Sequence, residues 1–267
     1  MRGTEALDSP RPSPTPRIRL HVYLAQCGVG SRRACERLIA AGSVAVTGRP
    51  VTEQGSTVQP GTDTVRVSGR EVHPERKIYL ALNKPRDVLC TCHDPTGRRT
   101  FLQFVPRLGV RLYPVGRLDR NSEGLLIVTN DGALAEAVTH PRYQVVRRYL
   151  ARVAAPLSGD QLRRLRLGVT SEGEQLRAER IVTVPAAEGP CYEVQLREGR
   201  KREIRRMFEV VGSPVLALKR TQIGPLELGT LRSGRWRYLA PREVDWLKRS
   251  AAQGAIPLAD REKGQRQ

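Results

Sequence analysis

Between residues 17 and 73 the apolar positions fall into two helical stripes and one alternating run. Leu20, Tyr23, Leu24 and Cys27 recur at i, i+3, i+4 and i+7, which predicts an amphipathic helix that Gly28 can close. Ser31 suits the N-cap of a second helix through Ala41, with Ala34, Leu38 and Ala41 facing inward and Arg32, Arg33 and Arg37 facing out. Gly42 stops it. Val44 and Val46 then alternate as a strand, Thr47-Gly48 turns, and Val51 starts a return strand, giving a helix-helix-hairpin unit.

From residue 74 onward the pattern changes to short apolar strands separated by turn signals and helical stretches, which predicts a mixed, mainly antiparallel α+β domain over residues 74–250. Strands are expected at Ile78–Leu82, Leu112–Val115, Leu125–Thr129, around Tyr149–Val153 and at Tyr192–Leu196. Asn130-Asp131-Gly132 leads into a helix from Ala133. Ile204, Met207, Phe208 and Val211 mark an apolar helical stripe with Arg205 at its edge. Residues 1–16 hold prolines at 10, 12, 14 and 16 and few apolar side chains, so they read as a flexible tail, as do residues 251–267.

Composition narrows the partner. The 267 residues carry 46 Lys+Arg against 27 Asp+Glu, a formal net charge of +19. Only six of the cations are lysine; 40 are arginine, whose planar fork suits phosphate and stacks on bases, although a GC-rich genome gives the same bias. An excess of this size raises the local concentration of polyanions. No apolar run is long enough to span a bilayer, and no basic amphipathic helix carries bulky anchors for a membrane surface, so nucleic acid is the favoured partner and a cytoplasmic monomer the favoured state. Five cysteines, an odd number without a framework, fit reduced thiols. Cys90-Thr91-Cys92-His93 lacks nearby ligands to complete a zinc site, so no metal is expected.

Two segments could carry chemistry. Gly116-Arg117-Leu118-Asp119-Arg120-Asn121-Ser122-Glu123-Gly124 is a polar loop between apolar strands, where reactive groups are commonly presented. Asp119 stands beside Arg117 and Arg120, which suits either a carboxylate available as base or nucleophile or a loop salt bridge. In the second segment, Gly199 precedes a helix beginning with Lys201 and Arg202; free backbone N–H groups and these cations would make a phosphate site, and a merely solvated basic face fits as well.

Larger patterns add a resemblance. Arg19-Leu20, Leu24 through Ala34, Leu38-Ile39, Gly42 and Val44 through Gly48 resemble an S4 RNA-binding domain, with Thr47 where Asn is usual. That resemblance implies RNA contacts from Arg19, Ser31, Arg32, Arg33 and Arg37. Arg117-Leu118-Asp119 with Ser122 through Gly132 strongly resembles the signature of RNA pseudouridine synthases of the RsuA/RluB type, which modify ribosomal RNA. Asn83-Lys84-Pro85, Asp94 through Thr100, His140-Pro141, Tyr149, Glu198-Gly199-Arg200 with Ile204 through Met207, and Leu218-Lys219-Arg220 with Ile223-Gly224 follow in the family's order. Departures are Asp87 for the usual Gly, Arg147 where Lys is common and Lys201 where Asn is common.

The resemblance implies that Asp119 is the catalytic aspartate, that Tyr149 packs beside the uracil and takes part in removing the C5 proton, that Arg205 pairs with the aspartate and that Leu218 shapes the pocket. Arg117 would hold the vacated position in the RNA or a neighbouring phosphate. The implied reaction cuts the N1–C1′ bond of uridine and rejoins the base through C5, so atoms and oxidation state are conserved and no cofactor is called for; no phosphate-cradling glycine motif is present either. Whether the carboxylate attacks C1′ or takes a proton from C2′ stays open. The loop residues 119–124 and 129–132 look closer to the large-subunit branch, so 23S rRNA, free or in a pre-ribosomal particle, is preferred over 16S. The rival from another class is a non-catalytic S4-type RNA-binding or ribosome-assembly factor. A nuclease is disfavoured by the lack of paired histidines and of a dense carboxylate cluster, and a methyltransferase by the lack of a glycine-rich cofactor loop.

Overall fold

The computed structural model describes residues 16–254. The expected N-terminal tail, apart from Pro16, and residues 255–267 of the expected C-terminal tail lie outside the described residues. The chain divides into two compact units between Arg76 and Lys77.

In the first unit, β1 (Ile18–Arg19) runs into α1 (Leu20–Gln26), and α2 (Arg32–Ala40) follows. The short strands β2 (Val44–Val46), β3 (Arg49–Pro50), β4 (Thr57–Val58), β5 (Val65–Val67) and β6 (Arg70–Glu71) complete it. β2 is the centre of a sheet ordered β3-β2-β5-β6, and β1 pairs with β4. Ser31 caps α2 by accepting from the Ala34 N–H at 3.1 Å. The buried face of α2 is rotated from the expected one: Cys35 and Ile39 point into the core and Ala41 is exposed. The bulkier Ile39 and Cys35 sit four apart and bury more apolar surface than the alanines would, which decides the rotation.

The second unit is built on one large sheet. Its elements in chain order are β7 (Tyr79–Lys84), β8 (Tyr113–Val115), β9 (Glu123–Thr129), α3 (Gly132–Thr139), β10 (Arg147–Val153), α4 (Gly159–Leu167), β11 (Val169–Ser171), β12 (Glu174–Leu176), β13 (Arg180–Val184), β14 (Cys191–Leu196), α5 (Glu203–Val210), β15 (Val215–Ile223), β16 (Leu226–Glu227), β17 (Trp236–Tyr238) and α6 (Pro241–Gly254). The sheet order is β13-β14-β10-β15-β9-β7-β17, antiparallel except where β15 lies parallel to β9. The expected C-terminal tail thus begins inside α6. β9, where apolar residues run without alternation, is buried on both faces, as a central strand must be.

Three apolar clusters pack on this sheet. One core joins α4, α5 and the β10, β13 and β14 side, with Tyr149, Val194, Ile204, Met207, Phe208 and Leu218. The stripe of α5 is the reason that helix docks, each such side chain contributing roughly 1.5–3 kcal/mol on burial. A second core joins α3 and α6 to β9, with Leu125, Ile127, Leu134, Val138, Val244 and Leu247, and a third takes the opposite face of β9 with Leu80, Leu82, Phe101, Leu126 and Val128.

At the parallel seam Gly124 faces Arg220. Gly124 has φ +106°, and a Cβ there would overlap the Arg220 carbonyl oxygen and lie 2.7 Å from the Arg220 nitrogen. Only glycine lets the two backbones meet here. Replacing Gly124 by Ala is therefore expected to destabilise the second unit by about 3 kcal/mol, from left-handed strain plus forced strand separation; urea unfolding measures it, and an unchanged midpoint would contradict the close approach. In the first unit Thr47 turns the β2–β3 hairpin at φ +48°, where a β-branched side chain is strained and Asn is tolerated. Thr47→Asn is expected to raise stability by about 0.5–1 kcal/mol, read as a higher Tm of that unit.

Candidate active site

The Arg117–Gly124 loop leaves β8 and enters β9 at Glu123, and the backbone of residues 117–122 lies outside the strand ladders. Side-chain cations supply partners, together with the Asp87 N–H, which donates to the Arg120 carbonyl at 2.8 Å. Lys84, fully buried at the end of β7, donates to the carbonyls of Pro85 at 2.8 Å, Val88 at 2.9 Å and Arg120 at 3.4 Å. Burial pushes the Lys84 ammonium down from its ordinary value. Arg220, buried in β15, spans both ends of the loop: Nε donates to the Leu125 carbonyl at 2.7 Å and Nη1 to the Arg117 carbonyl at 3.5 Å. Arg205 of α5 donates through Nη2 to the Asn121 carbonyl at 3.3 Å and through Nη1 to the Val215 carbonyl at 2.9 Å. Local bonds finish the frame, from the Ser122 N–H to the Asp119 carbonyl at 3.1 Å and from the Leu118 N–H to Cys90 Sγ at 3.4 Å.

Held this way, the loop presents Asp119 into a cavity of about 490 Å³. The cavity also takes walls from Arg117, Tyr149, Arg202, Leu218 and Arg220. Tyr149 and Leu218 are buried in the same core as Leu118, so three parts of the site are fixed by one packed cluster. The nearest cation to the Asp119 carboxylate is Arg202, whose Nη1 is 3.9 Å from Oδ2. The carboxylate is partly exposed toward the cavity, and its loop is secured through backbone groups, leaving the side chain available.

Several expected residues sit otherwise than the sequence suggests. Arg205 does not form the ion pair with Asp119; it binds loop and strand carbonyls, while its charge still acts on the aspartate electrostatically. Burial, then the neighbouring Arg202 charge, lowers the Arg205 guanidinium from its ordinary value. The physical reason for the exchange is position: Arg202 precedes α5 in a left-handed conformation, φ +51°, and so turns its side chain back toward the loop. Lys201 is exposed and lies outside the cavity wall. The N–H groups after Gly199 are not all free, since the Arg200 N–H donates to the Glu203 carboxylate at 3.0 Å. Burial raises Glu203 above the ordinary carboxylate range.

The departures from the family pattern have local partners. Asp87 adopts φ +60°, a conformation that suits the usual glycine and that Asp tolerates, and its carboxylate lies 3.4 Å from Arg120 Nε. Arg147 uses its fork on three carbonyls, those of Val145, Arg197 and Val138, at 3.1, 3.2 and 2.8 Å. Lys84, Arg206 and Arg220 are buried cations that no local periodicity marks as such. Arg206, buried on the side of α5 away from its apolar stripe, donates to Glu174 at 2.6 Å and to the Ser171 carbonyl.

In the first unit Arg32, Arg33 and Arg37 are exposed on α2, as a polyanion-facing surface requires. Ser31 is occupied in capping and Arg19 donates to the Gly55 carbonyl, so these two shape the unit locally. Among the described residues no helix is long and apolar enough to cross a membrane.

Known proteins share this architecture. A family profile described as RNA pseudouridylate synthase matches residues 78–210, and one described as S4 domain matches residues 18–63. An uncharacterized RNA pseudouridine synthase of Aquifex aeolicus is 38% identical over 242 residues, covering 90% of this chain and 97% of that protein. The ribosomal large subunit pseudouridine synthase B of Bacillus subtilis is 38% identical over 239 residues, covering 88% and 98%. A crystal structure of a pseudouridylate synthase superposes with a TM-score of 0.62 at 25% identity, over 86% of this chain and 99% of that one. The signature loop, the sheet that carries it and these matches agree: the chain belongs to the RNA pseudouridine synthases, as a member with an N-terminal S4 domain.

Proposed function

We propose that this enzyme isomerises a uridine of 23S ribosomal RNA to pseudouridine, with Asp119 as the catalytic carboxylate. The observation that carries the reading is the opening of Asp119, Tyr149 and Leu218 into one cavity, with Arg117 and Arg202 on its walls. The choice of large-subunit RNA is supported by the names of relatives in Bacillus subtilis and Vibrio cholerae, both ribosomal large subunit pseudouridine synthase B.

A uridine stacked in RNA cannot reach a side chain in such a cavity, so the nucleotide is extruded, at a cost of a few kcal/mol that phosphate contacts and packing offset. Arg117, exposed at the entrance, suits the vacated position or the adjacent phosphate. The Asp119 carboxylate then acts on the sugar, at C1′ as nucleophile or at C2′ as base, and the N1–C1′ bond breaks. The uracil turns between Tyr149 and Leu218 and C5 bonds to C1′. The proton lost from C5, beside Tyr149, balances the proton gained at N1, so no external group donor enters. Arg202 steadies the carboxylate, and Arg205, Arg220 and Lys84 act as positioning residues through the loop backbone.

Asp119→Asn is expected to abolish pseudouridine in transcript RNA, mapped by carbodiimide-dependent reverse-transcription stops, while RNA affinity stays within a few fold; retained conversion would overturn the assignment. Lys84→Met removes the ammonium that holds the Arg120 carbonyl, and is expected to lower kcat about 10²-fold with KM little changed, because the loop loses its register. Circular dichroism of the same variant separates this from unfolding. Binding to rRNA is expected to weaken steeply with salt, by about 0.7–0.9 in log K per log unit of salt for each phosphate neutralised. A salt-independent affinity would contradict the arginine-based interface.

A further inference from the structure

Next to the catalytic cavity is a second cavity of about 460 Å³, and the two share Pro141, Glu198, Arg200 and Glu203 as a dividing wall. Nothing assigned so far uses it. Its rim includes Leu167, the last residue of α4, which is 75% exposed while the other exposed large apolar side chains range from 38% to 52%. A leucine this open contributes little to folding, yet it borders a concave polar site. Arg200 stands in the dividing wall, with Nε on the Glu198 carboxylate at 2.6 Å and Nη1 on the Gln175 carbonyl at 2.9 Å. Arg197, also in the cavity wall, donates through Nη2 to Glu179 at 2.9 Å, while its buried Nε and Nη1 find no acceptor. Arg177 adds a third cation. Of the three acids on the wall, Glu179 and Glu198 are matched by Arg197 and Arg200, and burial favours the neutral form of Glu203.

The two cavities are similar in volume and separated by the thickness of one side-chain wall. The substrate is a chain, so the nucleotide next to the extruded uridine is tethered at the edge of the catalytic cavity whatever else it does. Sequence-selective RNA recognition commonly splays such a neighbour out of its stack and packs its face on a side chain. We infer that the second cavity receives the nucleotide adjoining the target uridine, its base against Leu167 and Pro141 and the intervening phosphate beside Arg200 and Arg197. This rests on the function proposed above and adds to it a second, sequence-reading subsite. Through it the enzyme selects one uridine among many by the identity or flexibility of its neighbour.

The test uses the full-length enzyme and an rRNA transcript fragment carrying the mapped uridine. Synthetic versions of the fragment carry an abasic residue at the 5′ or the 3′ neighbour, and each is assayed with wild type, Leu167→Asp and Leu167→Met. Removing one of the two neighbouring bases is expected to raise KM about tenfold with kcat within about twofold, equivalent to roughly 1.4 kcal/mol of lost contact. Leu167→Asp should raise KM by the same factor on the intact fragment and add nothing on the abasic one, whereas Leu167→Met should behave as wild type. The inference is overturned if neither neighbour's removal changes KM by more than about twofold, or if the effects of Leu167→Asp and the abasic residue multiply. If wild type forms no pseudouridine in the intact fragment, the catalytic reading fails first and the subsite with it; normal conversion with no neighbour effect removes the subsite alone.

Discussion

The site depends on cations that bind backbone carbonyls. Lys84 from β7, Arg205 from α5 and Arg220 from β15 converge on the loop that carries Asp119, and each donates to a main-chain oxygen of that loop or of its junction with β9. A cation spent on the carboxylate itself would also occupy the group proposed to react. Binding the amide oxygens separates the two tasks: position is fixed through the main chain, and the side chain stays open to the cavity. Charge-assisted bonds are stronger where water is excluded, and these, at 3.3–3.5 Å to the loop and 2.7 Å to Leu125, restrict a stretch that lies outside the strand ladders.

Burying these charges has an energetic cost, which carbonyl acceptors offset most fully at Lys84, while Arg205 Nε and Arg220 Nη2 are buried without an acceptor. Lys84 has three carbonyl acceptors around one ammonium, which limits how far burial can shift it toward the neutral form. Arg147 is treated in the same way, with three carbonyls on its fork, so arginine serves where lysine is common among relatives. The parallel contact of β15 with β9 is what brings Arg220 to both ends of the loop, and Gly124 is what permits that contact. A backbone close approach and a side-chain clamp are thus one device.

The cavity next to the catalytic one follows from the same framework. Arg200 divides the two spaces because its backbone N–H and side chain are tied to Glu203, Glu198 and the Gln175 carbonyl. A wall held by ion pairs at the mouth of a catalytic pocket suits a polymeric substrate, whose neighbouring units must be led out of the site in a defined direction. The exposed arginines of α2 in the S4 unit suit phosphate contacts, which position an RNA without reading its sequence.

Much was decided by the chain pattern alone. A continuous apolar run predicted β9, the alternating Tyr192, Val194 and Leu196 predicted β14, the i, i+3, i+4 stripe predicted α5, and glycines on either side of a polar loop marked the segment that carries Asp119, because these signals are local and follow the period of each element. The rotation of α2 is not legible where small and large apolar residues compete for the same face. Other features came only with the tertiary structure. Lys84 meets the loop across 36 positions, Arg205 across 84 and Arg220 across 103, and a bond between a side chain and a distant carbonyl leaves no periodicity in the sequence. The choice of Arg202 over Arg205 as the cation nearest Asp119 turns on one left-handed backbone angle before α5. Residue types determined which groups were available for chemistry; the crossing of β15 beside β9 decided which of them meet.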